Sequence, residues 1–367
     1  MKKVLVFGIT DNPGGVESVI MNYYRNIDRK NIQFDFLCNT EKVAYSDEIE
    51  KLGGTIYRVT ARSVDRKKFN TELDNFFKEH SKEYIAIWVN VCSLANIDYL
   101  KYAKKYGISK RIIHCHNSQN MDTIARNVLH FINRTRIDKY ATDFWTCNKR
   151  SNLFFYGKRI MKKHNIIEIN NAIDSSVFKF NEKVRKQYRK EMNLENKFVI
   201  GNVGRLHFQK NQLFLLDVFY AIHKKEPTAV LLLVGDGEDK EKIISKIDDL
   251  GLKDCVRLLG VRNDVNNLMC AMDLFLFPSL FEGLGIVLLE AQACGLPVVA
   301  ATDDIPNIVK MTDNFKFLPL KLPIEKWANK ALEFKNIERN TKNSFLKENN
   351  FDIKYEAKKL EEKIEGK

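Results

Sequence analysis

The fold is decided by the stretch LFLFPSLFEGLGIVLLEAQACGLPVVAA, which covers residues 274–301. It begins with a short apolar run, Leu274–Phe277, and continues through a loop that contains two glycines. A longer apolar stretch, Ile286–Ala293, and a second short run, Pro297–Ala300, follow. Short, continuously apolar runs are typical of strands that a parallel sheet buries on both faces, and the stretch between them is long enough for a crossover helix. The sequence therefore predicts a βαβ unit here.

The same alternation continues toward the N-terminus of this stretch. It predicts the pattern of a doubly wound α/β domain. The predicted strands are Phe198–Val203, Ala229–Val234 and Cys255–Leu259, and the predicted helices are Asn211–Lys224, Lys240–Leu250 and Val265–Met272.

The first half of the chain has a similar rhythm, which stops at residues 171–181 before a charged helical stretch, Glu182–Glu195. We predict two doubly wound Rossmann-like domains, residues 1–172 and 173–345, with a ligand cleft at the carboxyl ends of both sheets. Residues 346–367 form a last helix that either returns to the first domain or lies in solvent. In the first half the predicted strands are Val4–Phe7, Ile85–Val91, Arg111–Cys115, Asp143–Cys147 and Ile166–Asn170, and the predicted helices are Val16–Asn26 and Asn96–Tyr106.

Composition limits the class of protein. The chain has 367 residues with a net charge of +13, which favours anionic partners: nucleic acid, lipid surfaces or phosphorylated small molecules. Its seven cysteines include no CxxC pair, which argues against a disulfide framework or a thiolate metal site. The most apolar long stretch, Leu274–Ala301, is interrupted by prolines and glutamates and cannot span a bilayer. We expect a cytoplasmic protein, either soluble or peripheral on the inner face of the cell membrane.

Two loops of the second half carry residues suited to a nucleotide. Arg205 and Lys210 lie between a strand and a helix, where a guanidinium fork and a point charge could hold a diphosphate. Glu282 lies in the next such loop, and Glu290 lies in the helix after it, where a carboxylate needs partners such as sugar hydroxyls. The alternatives are solvated loop charges and a Glu290 paired with a structural Arg or Lys. The amides of Gly283, Leu284 and Gly285, at the helix start, can face phosphate or sugar oxygens.

The first half offers two weaker candidates. Gly14 and Gly15 end a strand-to-helix loop without the GxGxxG spacing, so the loop either approaches a ligand or is simply a tight turn. His114 and His116 lie on one face of a strand end, and His116 is the better ligand candidate because it lies further out. Strand-end histidines are also often structural.

Together these motifs resemble those of the retaining GT-B glycosyltransferases of family 4, which build bacterial capsules and exopolysaccharides. The resemblance covers nearly the whole chain. It lies in GGVE at 14–17, HCHNS at 114–118, NVGRLHFQKN at 202–211, LLVGDGE at 232–238, LGVRNDV at 259–265 and, most specifically, FPSLFEGLGIVLLEAQACGLPVVA at 277–300.

The resemblance implies a role for each candidate. Arg205 and Lys210 would clamp the diphosphate, and Glu290 would bind the ribose hydroxyls. Glu282 would contact the donor hexose, and His116 would bind the donor sugar near the reaction centre. The resemblance thus implies a catalytic set of His116, Glu282, Arg205 and Lys210. Further donor contacts would come from the backbone of Arg262 and from the amides of Gly283, Leu284, Gly285 and Ile286. Gly14 and Gly15 would form a ligand-binding loop on the acceptor side.

Two segments depart from the family pattern. The linker has Asn171-Ala172-Ile173-Asp174 where Asn-Gly-Ile-Asp is usual, and Asn171 would have to supply a positive φ if the chain needs one there. The segment TDDIPN, residues 302–307, replaces the usual Gly-Gly and Pro-Glu pattern, so contacts from this loop to the donor or the base are left open.

The expected reaction is the retaining transfer of a hexose or N-acetylhexosamine from a nucleotide diphosphate sugar, UDP by the family's habit, to a glycan or lipid-linked glycan. We expect no cofactor and no metal, because no DxD-like signal accompanies the two cations. Basic segments at Arg58–Lys68, Lys101–Arg111 and Arg126–Lys139 suggest contact with an anionic membrane surface. The alternatives are a nucleotide-sugar epimerase, a non-catalytic accessory subunit, or a nucleic-acid binder, of which the last lacks a recognisable module.

Overall fold

The computed structural model describes residues 1–116, 123–342 and 344–367. Asn117 and Ser118, the last two residues of the predicted histidine motif, lie outside the described residues. The chain divides into two compact units. Residues Met1–Ala172 and Asn350–Lys367 form the first, called the N-domain below, and Ile173–Asn349 form the second, called the C-domain.

The described part of the N-domain contains a seven-stranded parallel sheet with the order β3-β2-β1-β4-β5-β6-β7. The direction of winding reverses between β1 and β4, which is where ligands bind in such sheets. Its strands are β1 Lys2–Phe7, β2 Ile32–Cys38, β3 Ile56–Arg58, β4 Tyr84–Val91, β5 Lys110–Cys115, β6 Asp143–Thr146 and β7 Ile166–Glu168, and its helices are α1 Gly15–Asn26, α2 Ser46–Lys51, α3 Arg66–His80, α4 Asp98–Lys105, α5 Ile124–Arg134, α6 Lys149–Phe155 and α7 Gly157–Lys163.

The described part of the C-domain contains a six-stranded parallel sheet with the order β10-β9-β8-β11-β12-β13. Winding reverses between β8 and β11. The strands are β8 Phe198–Val203, β9 Ala229–Val234, β10 Val256–Leu258, β11 Leu274–Phe277, β12 Val298–Ala301 and β13 Phe315–Leu318, and the helices are α8 Glu182–Glu191, α9 Gln212–Lys225, α10 Lys240–Asp249, α11 Val265–Ala271, α12 Ile286–Ala293, α13 Ile324–Leu332 and α14 Ser344–Glu348.

The last helix, α15 (Ile353–Glu365), belongs to the N-domain and packs against α1. Lys2 Nζ lies 2.6 Å from Glu365 Oε1, and Asn31 Nδ2 donates to the same oxygen at 3.1 Å. These bonds join the C-terminal helix to the edge of the sheet at which β1 and β2 begin. The carboxyl ends of the strands lie at the opposite edge.

Strand β2 shows why apolar runs alone do not reveal every element. Asp35 interrupts its sequence, IQFDFLC, yet its side chain is buried. Lys3 Nζ lies 3.1 Å from Asp35 Oδ2, the Tyr84 hydroxyl donates to the same oxygen at 3.2 Å, and the Thr55 amide donates to Oδ1 at 2.9 Å. A buried charge is tolerated when it is paired and hydrogen-bonded in this way.

The segment that joins the domains differs from its prediction in one detail. The charged helix α8 ends at Glu191 and not at the predicted Glu195, because Asn193, which directly follows its C-cap, adopts a positive φ of 48°. Asn171 is not among the described non-glycine residues with positive φ. The backbone therefore does not need the conformation that a glycine would supply in this linker.

Candidate active site

Lys210 and Glu282 meet at the carboxyl edge of the C-domain sheet. Lys210 ends a short 3-10 helix after β8, and Glu282 lies in the loop after β11. Because β8 and β11 are neighbours, the two loops are adjacent, and Lys210 Nζ donates to Glu282 Oε1 at 2.7 Å. The exposed fractions of these side chains are only 18% and 7%. The sequence singled out both residues, and the structure pairs them.

Further hydrogen bonds support this ion pair. Ser279 Oγ donates to the same Glu282 oxygen at 2.5 Å and lies 2.9 Å from the Gln209 carbonyl oxygen. The Gln209 side chain donates in turn to the Phe281 carbonyl at 2.8 Å. A buried ion pair is stable only with such additional bonds. Ser279 and Gln209 were not singled out from the sequence, although both lie within the quoted motifs.

Arg205 points elsewhere. Its side chain is 67% exposed and forms a bidentate pair with Glu238, with Nε and Nη2 at 2.9 Å and 3.0 Å from the two carboxylate oxygens. Glu238 lies in the loop after β9, the next strand of the sheet. Exposed pairs of this kind contribute about 0–1 kcal/mol, so an incoming anion could draw the guanidinium from Glu238 at little cost.

Glu290 lies in α12, and its carboxylate accepts no hydrogen bond and forms no ion pair within the described ranges 1–116, 123–342 and 344–367. The alternative of a structural Arg or Lys partner is therefore not met among those residues. Burial raises the pKa of Glu290 to about 7. A carboxyl held in this state gains from any ligand that brings hydroxyl donors.

The start of α12 is shaped by glycine. Gly285 precedes Ile286, the first helical residue, and adopts a φ of +79°, which L side chains rarely adopt. Leu284 is buried. The first amides of such a helix have no intrahelical acceptor and can face an anion.

Arg262 follows β10 and pairs with Asp264. Nε and Nη2 lie 2.8 Å and 2.6 Å from the two carboxylate oxygens, and this pairing lowers the pKa of Asp264 to about 2. The Tyr188 hydroxyl donates to Asp264 at 2.7 Å. In this structure the Arg262 guanidinium therefore faces its neighbour Asp264.

At the carboxyl edge of the N-domain sheet, His116 forms a cluster with His114 and Asn90. His116 Nε2 lies 2.9 Å and His114 Nδ1 lies 3.1 Å from Asn90 Oδ1, and the ring centroids are 4.2 Å apart. An amide oxygen only accepts, so both imidazoles donate to it, which fixes the proton on Nε2 of His116 and Nδ1 of His114. Burial lowers the pKa of His116 to about 3, so both of these buried rings are neutral.

Asn90 was missed by the sequence analysis. The available signal was a polar residue near the end of an otherwise apolar strand, YIAIWVNV. The end of β1 passes close to it: a Cβ at Gly8, whose φ is +139°, would lie 2.7 Å from the Asn90 Cβ. Gly8 therefore permits the loop after β1 to run beside Asn90.

The glycine pair after β1 has two different surroundings. A Cβ at Gly14 would lie 2.7 Å from Glu17 Oε2, whereas a Cβ at Gly15 would meet no atom of the described residues within 4 Å. The Thr10 hydroxyl donates to Glu17 Oε1 at 2.5 Å, and burial raises the pKa of Glu17. Gly14 thus makes room for the folded-back Glu17 carboxylate, and the described residues leave the space beside Gly15 open.

Known proteins resemble the chain in sequence. Residues 197–334 match the model of a family described as glycosyl transferases group 1. The putative glycosyltransferase EpsF of Bacillus subtilis is 29% identical over 94% of this chain and 91% of its own length. The capsular polysaccharide biosynthesis glycosyltransferase CapH of Staphylococcus aureus is 26% identical over 99% of this chain and 98% of its own length.

Solved structures resemble it in fold. HepE of Anabaena, solved in complex with UDP and glucose, has a TM-score of 0.80 at 20% identity, with both chains fully covered. WaaG, a glycosyltransferase involved in lipopolysaccharide biosynthesis, has a TM-score of 0.69 at 16% identity over 99% of this chain and all of its own. The protein is therefore a glycosyltransferase with the two-domain, Rossmann-like GT-B fold. No helix within residues 1–116, 123–342 or 344–367 has the length and apolar character that a bilayer crossing requires.

Proposed function

We propose that the enzyme transfers a hexose or N-acetylhexosamine from a UDP-sugar to a glycan or lipid-linked glycan during capsule or exopolysaccharide assembly. The main support is the Lys210–Glu282 pair at the reversal point of the C-domain sheet, where a ligand's charge and hydroxyls can be met together. The names of relatives point the same way. A UDP-Gal:alpha-D-GlcNAc-diphosphoundecaprenol alpha-1,3-galactosyltransferase of Escherichia coli is 40% identical over 29% of this chain and 28% of its own length.

The C-domain holds the nucleotide part of the donor in this proposal. Glu290 accepts from the ribose hydroxyls, which supply the partners that its carboxylate lacks among the described residues. Arg205 turns from Glu238 to the diphosphate, and Lys210 lies beside it as a second cation. The base meets the backbone near Arg262, whose guanidinium is paired with Asp264 in this structure.

Catalysis follows from charge stabilisation. The bond between the anomeric carbon and the diphosphate breaks while the bond to the acceptor oxygen forms on the same face, so configuration is retained. The acceptor proton passes to the departing diphosphate. Arg205, Lys210 and the amides of Gly283, Leu284, Gly285 and Ile286 stabilise the charge that develops there, which is how preorganised donors lower such barriers.

The proposed contacts to the donor sugar are hydrogen bonds. Both Lys210 and Ser279 donate to Oε1 of Glu282, so Oε2 accepts from a sugar hydroxyl. His116 is neutral and binds the sugar by hydrogen bonding rather than by charge. Because two cations already face the diphosphate, we propose that the reaction needs no divalent metal, and that Gly14 and Gly15 lie on the acceptor side.

The first experiment is thermal stabilisation by UDP, GDP and ADP, each with and without magnesium. A ligand that binds only the folded protein raises the unfolding midpoint. We expect UDP alone to do so, equally well with chelator, and Arg205→Ala to abolish the shift. Lys240→Ala is the matched control, since it removes another exposed C-domain ion pair, with Asp236 at 3.2 Å.

Three results would count against the proposal. If none of the nucleotides stabilises the protein, an accessory role is the better explanation. If chelator removes the UDP shift, the metal-free mechanism is wrong. If the enzyme alters a UDP-sugar when no acceptor is present and transfers it to none, the protein is an epimerase.

A further inference from the structure

Helix α5 carries its apolar side chains on the outside. Ile124, Val128, Phe131 and Ile132 are exposed by 83%, 52%, 44% and 42%. These positions lie on one face of a helix with 3.6 residues per turn. The residues that α5 buries are polar, His130 and Asn133. A helix of a globular domain normally buries its apolar face and exposes its polar face. Packing within the domain therefore does not explain the apolar outer face of α5.

The polar face fixes this orientation. His130 Nδ1 accepts from the Leu94 amide at 3.1 Å, and Asn133 Nδ2 donates to the Leu94 carbonyl at 2.7 Å. The His130 ring also stacks on Phe154 with centroids 4.6 Å apart. Rotating α5 to bury its apolar face would break these bonds and leave buried polar groups without partners, which is costly.

The apolar area extends onto the next helix. Arg134 Nη1 donates to the Phe154 carbonyl at 2.9 Å, which places the end of α5 against α6, and Leu153 of α6 is 54% exposed. Contiguous exposed apolar patches are rare on monomeric proteins and usually mark an interaction site. We call this area the α5 surface; its residues are Ile124, Val128, Leu129, Phe131, Ile132 and Leu153.

The segment of the chain that contains the α5 surface is strongly positive. Residues 123–163 contain ten Lys and Arg but only two Asp and no Glu, a surplus of eight within a chain whose net charge is +13. Helix α7 adjoins the end of α5, since Arg159 Nη2 donates to the Thr135 carbonyl at 2.8 Å. Lys158 and Lys162 of α7 are exposed and form no ion pair within the described parts of the chain.

We propose that the α5 surface docks on an anionic lipid bilayer, with α5 lying in the plane of the interface. Its apolar face enters the boundary between headgroups and acyl chains, and the surrounding cations meet anionic headgroups. A second copy of the chain fits less well, because two such surfaces face to face would bring their positive charges together. The inference deepens the proposed function, since a lipid-linked acceptor is presented at such a surface.

The test is sedimentation of the full chain with vesicles of phosphatidylcholine alone or mixed with phosphatidylglycerol. We expect binding to the anionic vesicles and weaker binding at high salt. The double variant Val128→Glu/Phe131→Glu should lower the vesicle partition coefficient at least about tenfold, because two apolar side chains no longer leave water. The matched control is Val177→Glu/Ile337→Glu, whose side chains are 49% and 45% exposed in the C-domain.

The same variants separate this inference from the proposed function. UDP should raise the unfolding midpoint equally in wild type and in both double variants, since the α5 surface lies in the N-domain. If UDP does not stabilise even the wild type, that result counts against the donor proposal only. The inference is overturned if the wild type does not bind anionic vesicles, or if the two double variants have the same vesicle partition coefficient. It is also overturned if sedimentation velocity shows a self-association that only the α5 variant abolishes, with no vesicle binding.

Discussion

The carboxyl edges of the two sheets have the same architecture, but one carries a neutral cluster of side chains and the other carries an ion pair. In the N-domain the cluster of Asn90, His114 and His116 is buried and neutral, because burial lowers the pKa of both histidines. In the C-domain Lys210 and Glu282 are nearly as buried but form an ion pair. A neutral cluster can recognise hydroxyls through directed hydrogen bonds, whereas a charged edge is suited to a diphosphate. The fold supplies the location at both edges, and the side chains decide the ligand.

The surroundings explain the difference. The His114 ring lies 5.9 Å from Trp88 and 6.2 Å from Trp145, and this aromatic wall disfavours an imidazolium. Lys210 Nζ lies 5.1 Å above the Phe277 ring, but the Glu282 carboxylate compensates its charge directly. A single substitution at either edge therefore tests whether its charge state matters.

The largest effect is expected at the charged edge. Lys210→Ala removes one cation from the leaving diphosphate and leaves Glu282 buried without its partner. The catalytic efficiency, kcat/KM, should fall by a factor of about 10²–10³, and the unfolding midpoint should also fall. Steady-state kinetics and thermal unfolding measure the two effects.

A second variant separates catalysis from folding at this edge. Lys210→Met/Glu282→Gln removes both charges, so the midpoint should recover, since a buried pair can be replaced by uncharged groups at little cost. Activity should stay low. If the double variant regains activity together with stability, the pair is structural and the charged-edge interpretation is wrong.

The neutral edge should respond through kcat rather than through nucleotide binding. Asn90→Ala removes the oxygen that accepts from both imidazoles, so His116 loses its orientation. We expect kcat to fall by about tenfold to a hundredfold, as for other misplaced groups, with UDP stabilisation unchanged. An equal loss of UDP stabilisation would mean that the variant is damaged more widely.

The pH profile of Asn90→Asp tests the neutral state itself. The wild-type histidine, with a pKa of about 3, stays neutral between pH 5 and 8 and adds no ionisation to the rate profile there. A carboxylate at position 90 favours the imidazolium and raises that pKa. The rate of the variant should then decrease as the pH is lowered and recover as it is raised. A flat profile would show that the protonation state of His116 does not matter.

Sequence patterns predicted the C-domain more completely than the N-domain. Strands such as Phe198–Val203 and Leu274–Phe277 were predicted to the residue, because runs buried on both faces are continuously apolar. Strand β2 was missed because Asp35 interrupts its run, and only tertiary partners reveal why this carboxylate is tolerated. Asn90 was missed for a related reason: a single polar residue carries no spacing signal, and its side-chain contacts are with two histidines at the end of the neighbouring strand.

Local pairing was likewise hidden in the sequence. The motif containing Arg205 and Lys210 suggested that the two cations act side by side, but the structure directs Arg205 to Glu238 and Lys210 to Glu282. Which carboxylate each cation meets depends on the order of strands in the sheet. Sequence spacing within one loop does not contain that order.

A smaller effect is expected at Glu290, and it should depend on pH. Its pKa is raised from 4.5 to about 7, so the folded state is favoured while the group is protonated and loses that advantage as the pH rises from 4.5 through 7. Glu290→Gln should therefore gain in unfolding midpoint relative to wild type at pH 8 but not at pH 5.

Nucleotide affinity should show the opposite trend. Ribose hydroxyls donate best to the ionised carboxylate, so wild-type affinity for UDP should rise severalfold between pH 5 and 8, whereas that of Glu290→Gln should not. Calorimetric titration at both pH values measures this. Glu325→Gln, which removes an exposed carboxylate 2.6 Å from Lys225 in the same domain, is the control. Parallel pH trends in wild type and Glu290→Gln would remove Glu290 from the ribose site.

The smallest effect is expected for Arg262→Ala, which tests how far the charged edge of the C-domain extends. Its guanidinium is 40% exposed and bound to Asp264, so the loss of stability should be within about 1 kcal/mol. UDP affinity should be unchanged, because only the backbone of this residue is proposed to meet the base. A loss as large as that of Arg205→Ala would mean that Arg262 leaves Asp264 to bind the nucleotide. The charged edge would then reach from β11 across β8 and β9 to β10, with three cations rather than two facing the donor.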